Sequence, residues 1–119
     1  MKLDSNRAYV VGVGMTRFCL NPPRTIKEMV REAVTRCLED ADARVSDVGA
    51  LTFANVGQGI LEGQAGTPGQ IALRPLGFER APVINVENAC ASGSTAFYSA
   101  WTQVRAGVTD IALAVGAEK

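Results

Sequence analysis

The chain has 119 residues, 47% of them hydrophobic, which is enough apolar material for the core of one globular domain. Its twelve basic and twelve acidic residues cancel, so no overall field attracts nucleic acid, and no apolar run is long enough for a membrane span. Histidine is absent and the three cysteines form no CxxC pair, so we expect no bound metal, reduced thiols and a cytoplasmic location.

The first predicted elements are a strand and a helix. Ala8–Gly14 is Val-rich, nearly all apolar and ends in glycine, which is typical of a strand covered on both faces. A loop follows, and the sequence from Thr25 to Glu28 fits a capping box that opens a helix. Apolar residues then recur at spacings of three and four from Ile26 to Ala41, which predicts one apolar stripe packed on a sheet. Cys37 lies on that stripe, so we expect it in the core.

The middle of the chain predicts two strands and a short helix. Val48–Ala54 is the second strand, and the glycine-rich loop over 55–66 has no periodicity of its own. Loops of this length often serve a site. Thr67 precedes a proline at the first helical position, and a capping-box glutamine follows, so we expect a short helix that runs to Arg74. Pro82–Val86 is the third strand.

A helix and a fourth strand complete the pattern. Residues 91–106 are small and apolar with no charge before Arg105, which predicts a helix buried nearly all round. Ile111–Gly116 is the fourth strand. Strands alternating with helices predict an α/β fold: a mainly parallel sheet with helices on both faces and right-handed crossovers.

Cys90 is the residue most indicative of chemistry, because it lies on a predicted tight turn between a strand and a helix. Unpaired N–H groups and the positive end of the helix dipole favour thiolate over thiol there. The same N–H groups suit the oxyanion that forms when a sulfur attacks a thioester. A small buried cysteine is the commoner interpretation from position alone, so both remain open at this point.

The segment VENACASGSTAF, after an NPxxTIKEMV-like helix start and a GVGMTRF opening, resembles the nucleophile segment of thiolases. The sterol-carrier-protein or lipid-transfer-protein type is the most similar group, and Ala91 favours it because many other thiolases have glycine after the nucleophile. The resemblance covers the whole chain, and it implies that residues 1–119 are the amino-terminal half-domain of a duplicated fold. It also implies that Cys90 takes an acyl group from coenzyme A thioesters, which are substrates, with no permanently bound cofactor.

The resemblance also implies that other segments supply the remaining chemistry. The family's HPxGxSG-like and CxGG-like motifs have no counterpart here, and no histidine can serve as the base. We therefore expect a complementary thiolase segment or subunit, a two-fold assembly through Pro82–Val86, and a chain that is aggregated or inert by itself.

Two alternatives to a thiolase of 3-oxoacyl-CoA remain open. One is a lipid-transfer-type relative that acts on steroid or aryl side-chain CoA esters, beside an OB-fold acyl-CoA-binding partner. The other is a non-catalytic lipid-binding or scaffold subunit.

Four other features have alternative interpretations. Gly12-Val-Gly14 is half of a dinucleotide fingerprint, but Arg17 stands at the third glycine position and no helix opens there. Cys19 has two interpretations, a second reactive thiol or, as we favour, a loop cysteine without a catalytic role. Arg17 and Arg24 contact CoA phosphates or, as we favour, are solvated loop arginines.

Overall fold

The computed structural model describes residues 7–20 and 22–119. Three strands in these residues form one parallel sheet of order β2-β1-β3. Two 3₁₀ turns, Val45–Asp47 and Arg74–Leu76, accompany the helices and strands. In chain order the helices and strands are α1 (Ile26–Asp40), β1 (Ala50–Ala54), α2 (Gln58–Leu61), α3 (Pro68–Leu73), β2 (Val83–Val86), α4 (Ser92–Arg105) and β3 (Ala112–Gly116).

The central strand β1 is buried along its whole length, and its side chains alternate between the two faces of the sheet. Leu51 and Phe53 join the core that contains the apolar residues of α1 and α3. Thr52 points to the other face, where its hydroxyl donates to the Ala96 carbonyl of α4 at 2.8 Å. Helices therefore cover both faces of a parallel sheet, and the predicted α/β fold class is confirmed.

Helix α1 begins as its sequence predicts. The Thr25 hydroxyl accepts the Glu28 N–H at 3.2 Å, and the Glu28 carboxylate accepts the Thr25 N–H at 2.7 Å. This reciprocal pair satisfies two of the backbone donors that a helix start leaves free. The predicted stripe packs on the sheet, and Cys37 lies half-buried beside the core.

The predicted first strand, Ala8–Gly14, is wrong. The sheet has the order β2-β1-β3, and residues 8–14 form no ladder with either of its edge strands. The segment lies along α1 instead, and its Val13 N–H donates to the Asp40 carboxylate at 2.9 Å. An apolar run next to a loop predicts burial but does not identify the surface that covers it.

The three other predicted strands are present as β1, β2 and β3, and each begins one or two residues later than predicted.

Two predictions for the middle of the chain, the loop over 55–66 and the cap of the following helix, are wrong in part. Helix α2 occupies part of the loop predicted over 55–66. Thr67 has a left-handed backbone (φ 48°) and makes no side-chain cap, and the Gly69 N–H donates instead to the Asn85 side-chain oxygen at 2.7 Å. The cap of α3 therefore comes from a neighbouring strand, which local sequence does not reveal.

Helix α4 is buried on one side only. Its buried residues, Ser92, Ala96 and Ala100, form a small-residue stripe against the sheet. Phe97 and Tyr98 are 55% and 65% exposed, so the prediction of burial nearly all round is wrong for the described chain. None of the described helices has the length and apolar character needed to cross a membrane.

Candidate active site

Cys90 is exposed on the turn that joins β2 to α4, two residues before the helix begins. The preceding residue, Ala89, has a left-handed backbone with φ 45°. A side chain with a Cβ disfavours this conformation, so the surrounding contacts must hold it. The turn is therefore a constrained loop, and it presents the Cys90 thiol to solvent.

Side chains of the turn itself provide those contacts. The Asn88 N–H donates to the Ser92 hydroxyl at 2.7 Å, and that hydroxyl donates to the Ala89 carbonyl at 2.7 Å. The Ala89 N–H donates to the Glu87 carboxylate at 2.8 Å. On the helix side, the Asn88 carboxamide donates to the Thr95 hydroxyl at 3.1 Å. The Glu87 and Ser92 side chains thus bond to the backbone of the turn, and the Asn88 side chain ties it to α4, which our sequence analysis missed.

The thiol faces a cleft of about 950 Å³ at the carboxyl ends of β1 and β3. Ligands of open parallel sheets characteristically bind at this edge. Cys90 and Gly93 lie on one wall, and Cys19 lies on the loop that forms another part of the lining. The cleft therefore brings two of the three cysteines to one site.

Backbone donors next to the thiol have no acceptor among the described residues. These are the N–H groups of Cys90, Gly93 and Ser94, whereas the N–H groups of Ala91 and Ser92 bond within the turn. Two of these residues, Cys90 and Gly93, line the cleft.

The two arginines considered as contacts for CoA phosphates, Arg17 and Arg24, lie in different places in the structure. Arg17 lines the cleft with Cys90. Arg24 instead forms an ion pair with Glu32 and donates to the Glu28 carbonyl at 3.2 Å, which ties it to α1. Of the two arginines considered from sequence, the structure therefore brings only Arg17 to the site.

Cys37 lies outside the thiol cleft. Burial, with the nearby Asp40 charge, raises the pKa of the Cys37 thiol. Its Sγ lies 3.4 Å from the Gly12 carbonyl, to which the thiol donates. The neutral thiol is thus the stable form, in agreement with the predicted structural role of this cysteine.

The Gly12-Val-Gly14 sequence has a packing role in the structure. A Cβ on Gly14 would lie 2.1 Å from the Ala33 carbonyl, and one on Gly12 would lie 2.5 Å from the Cys37 carbonyl. Only glycine permits this approach to α1. Close packing against a helix therefore explains both glycines.

Glu118 is a second residue that our sequence analysis missed. Its carboxylate accepts the Gly57 N–H at 3.1 Å and also the Val56 N–H, and it lines the thiol cleft. These contacts join residues about sixty positions apart, and no local pattern predicts such a pairing. These two hydrogen bonds hold the loop after β1 next to the carboxyl end of β3.

The fold and the turn define an α/β protein with an exposed cysteine between a strand and a helix at the carboxyl edge of a parallel sheet. Residues 8–119 match the thiolase amino-terminal domain, and the chain belongs to the thiolase family. The predicted resemblance is thereby confirmed.

Three curated relatives are similar over most of this chain. "Non-specific lipid-transfer protein-like 2" of Caenorhabditis elegans is 36% identical over 95% of this chain and 27% of the relative. Sterol carrier protein 2 of Bos taurus is 38% identical over 96% of this chain and 20% of the relative. Acetyl-CoA acetyltransferase of Methanocaldococcus jannaschii is 32% identical over 92% of this chain and 28% of the relative. The chain thus spans between a fifth and three tenths of their lengths.

A solved structure has the same fold. 3-Oxoacyl-(acyl carrier protein) synthase III of Xanthomonas oryzae superposes with a TM-score of 0.70 at 22% identity, over 82% of this chain and 28% of that one. This likeness supports the thiolase-like α/β architecture.

Proposed function

We propose that Cys90 is the acyl-accepting nucleophile of a thiolase and that the protein makes or cleaves 3-oxoacyl-CoA together with a complementary segment or subunit. One observation carries the proposal. The exposed Cys90 thiol faces a cleft of about 950 Å³ and lies beside backbone N–H groups that have no acceptor among the described residues. Membership of the thiolase family supports an acyltransferase activity.

The first step is acyl transfer to sulfur. The Cys90 thiolate attacks the carbonyl carbon of an acyl-CoA, a new sulfur–carbon bond forms, and the bond between that carbon and the CoA sulfur breaks. CoA leaves as a thiolate that takes up a proton. Cys90 and Gly93 line the cleft, and we propose that their N–H groups stabilise the transient oxyanion.

Proton transfer needs groups from outside this chain. The chain has no histidine. The ionisable side chains that line the cleft, besides its cysteines, are Arg17, Glu118 and Lys119, and the Glu118 carboxylate already accepts two backbone N–H groups. We therefore propose that a complementary thiolase segment supplies the acid and base, and that the chain alone does not catalyse thiolysis.

A bulkier substrate is the second candidate. Two of the relatives are named as a lipid-transfer and a sterol carrier protein. Apolar side chains, among them Phe18, Leu20 and Met29, line the cleft near Cys90. Steroid or aryl CoA esters would suit such a lining, and comparing them with short 3-oxoacyl-CoA substrates would separate the two candidates.

We further propose a two-fold assembly through the predicted third strand, Pro82–Val86. In the described residues β2 pairs only with β1. On its other edge the Val83 carbonyl accepts the Gln70 side chain at 3.2 Å, and the remaining backbone groups have no strand partner. Ile84 in its centre is 44% exposed. Pairing with a second copy would satisfy these groups and cover Ile84. A mass measurement of the assembled protein would test this, and a strictly monomeric assembly would contradict it.

The direct test is thiolysis by the chain combined with the remaining thiolase segments. We expect activity on mixing, none from the chain alone, and none from a Cys90→Ala assembly of unchanged composition. Cys19→Ser is the matched control, because Cys19 lines the same cleft, and we expect it to remain active. Undiminished activity of Cys90→Ala would contradict the proposal, and inactivity of a correctly assembled wild-type protein would favour a non-catalytic subunit.

A further inference from the structure

We propose that Ser92 is the positioning residue of the site and that its hydroxyl holds the Cys90 thiol and the neighbouring N–H groups in place. The inference deepens the proposed function and rests on it to the extent that Cys90 is the reacting group. Ser92 itself is buried, with 4% of its surface exposed.

The Ser92 hydroxyl bonds to both residues that precede Cys90. It accepts the Asn88 N–H at 2.7 Å and donates to the Ala89 carbonyl at 2.7 Å. The Ser92 N–H donates to the same carbonyl at 3.1 Å. One side chain from α4 thereby links the helix to the backbone on both sides of the Asn88–Ala89 peptide bond.

Ala89 needs this support because its backbone is left-handed. A residue with a Cβ adopts φ near 45° only where its surroundings impose it. Loss of the Ser92 hydroxyl removes one bond to Ala89 and leaves the Asn88 N–H without its acceptor. The turn would then relax toward ordinary backbone angles, and Cys90 would move with it.

The role is positioning and does not include proton donation to a substrate. A serine hydroxyl has a single proton to donate, and the Ala89 carbonyl already accepts it. The hydroxyl would therefore act through the backbone, by keeping the Cys90 sulfur next to the N–H groups that have no acceptor among the described residues.

The helix offers a matched control in Ser94. This serine lies on the same first turn of α4 and is exposed, and its side chain makes no hydrogen bond to any described residue. Ser94→Ala removes the same atom as Ser92→Ala without touching the turn.

The test is the rate at which iodoacetamide alkylates Cys90 in the full chain at neutral pH, measured by peptide mass spectrometry. We expect Ser92→Ala to slow alkylation at neutral pH by about tenfold, the effect of one lost buried hydrogen bond. Ser92→Thr, which keeps the hydroxyl, should restore most of the rate, and Ser94→Ala should match the wild type. Equal rates in folded Ser92→Ala and Ser94→Ala would overturn the proposal.

A second pair of variants covers the case in which Ser92→Ala does not fold. Ala89→Gly adopts positive φ without strain, so it should restore folding in the Ser92→Ala background. Without the Ser92 hydroxyl the Asn88 N–H still lacks its acceptor, and a glycine at position 89 is free to leave positive φ. The double variant should therefore still react more slowly than Ala89→Gly alone, and equal rates would overturn the proposal. The readout also separates this inference from the proposed function. If Cys90→Ala retained acyl transfer while Ser92→Ala still slowed Cys90 alkylation, only the proposed function would fail.

Discussion

The Thr52 hydroxyl donates a 2.8 Å hydrogen bond to the Ala96 carbonyl, from the centre of β1 to the first half of α4. Both residues are buried, with 0% and 1% of their surfaces exposed. Ala96 belongs to the small-residue stripe that lets α4 approach the sheet closely. Because α4 begins directly after the cysteine turn, this contact helps to place Cys90 at the carboxyl edge of the sheet.

Thr52→Val should lower the free energy of unfolding by about 1 kcal/mol, because it removes a buried hydrogen bond while keeping the side-chain shape. The control is Thr102→Val. The Thr102 hydroxyl also donates to a helical carbonyl, that of Tyr98, at 2.8 Å, but at an exposed position. Its effect should stay within about 0.5 kcal/mol. Denaturant unfolding of the two variants compares them, and equal losses would show that burial of the Thr52 bond adds nothing.

The capping box of α1 makes a pH-dependent contribution to stability. The backbone hydrogen bond from Thr25, followed by the one from its hydroxyl, lowers the pKa of Glu28 from 4.5. A carboxyl group with a depressed folded-state pKa stabilises the fold above its unfolded pKa, and this stability is lost as the pH falls through the folded-state value. We expect the wild type to be more stable than Glu28→Gln at neutral pH and the difference to vanish in acid. A difference independent of pH would contradict this origin.

The three thiols should react in a fixed order. Cys19 and Cys90 are exposed, whereas burial raises the pKa of the half-buried Cys37 thiol and keeps it neutral. We expect a chromogenic disulfide reagent to modify two thiols rapidly in the native chain and the third only after unfolding, since the thiolate is the reactive form. Rapid modification of all three in the folded chain would show that the packing around Cys37 is absent.

Gly14→Ala should destabilise the chain, by about 1–3 kcal/mol as in other overpacked sites. The new Cβ would lie 2.1 Å from the Ala33 carbonyl and 2.5 Å from the Cys37 nitrogen, both backbone atoms that cannot move independently of α1. Gly66→Ala is the control, because a Cβ there meets nothing within 4 Å. Chemical denaturation should separate the two variants clearly, and similar midpoints would refute the close packing of residues 8–14 on α1.

Local sequence patterns correctly predicted the helix and strands that depend on interactions between residues near one another in the sequence. The Thr25 capping box and the apolar stripe of α1 depend on residues within a few positions of one another, and both are present. Three predicted strands are also present, since a short apolar run between turn residues indicates a buried strand whatever its neighbours are.

The wrong predictions concern segments whose structure depends on contacts with residues far away in the sequence. Residues 8–14 pack on α1 through contacts with residues about 20 to 30 positions away, which no local pattern reveals. The cap of α3 comes from Asn85, sixteen residues away, so Thr67 is not needed for it. At the site, the position of Cys90 was predictable from the strand and helix around it. The contribution of Ser92 was not, because it depends on the left-handed backbone of Ala89.

The most direct test of the central claim is the site of acylation. The chain, combined with its complementary segments, is mixed with an acyl-CoA, quenched in acid to preserve thioesters, and analysed by intact and peptide mass spectrometry. We expect one acyl group on the peptide that contains Cys90, and none in the Cys90→Ala variant. An acyl group on Cys19 or Cys37, or one that persists in Cys90→Ala, would contradict the assignment of Cys90 as the nucleophile.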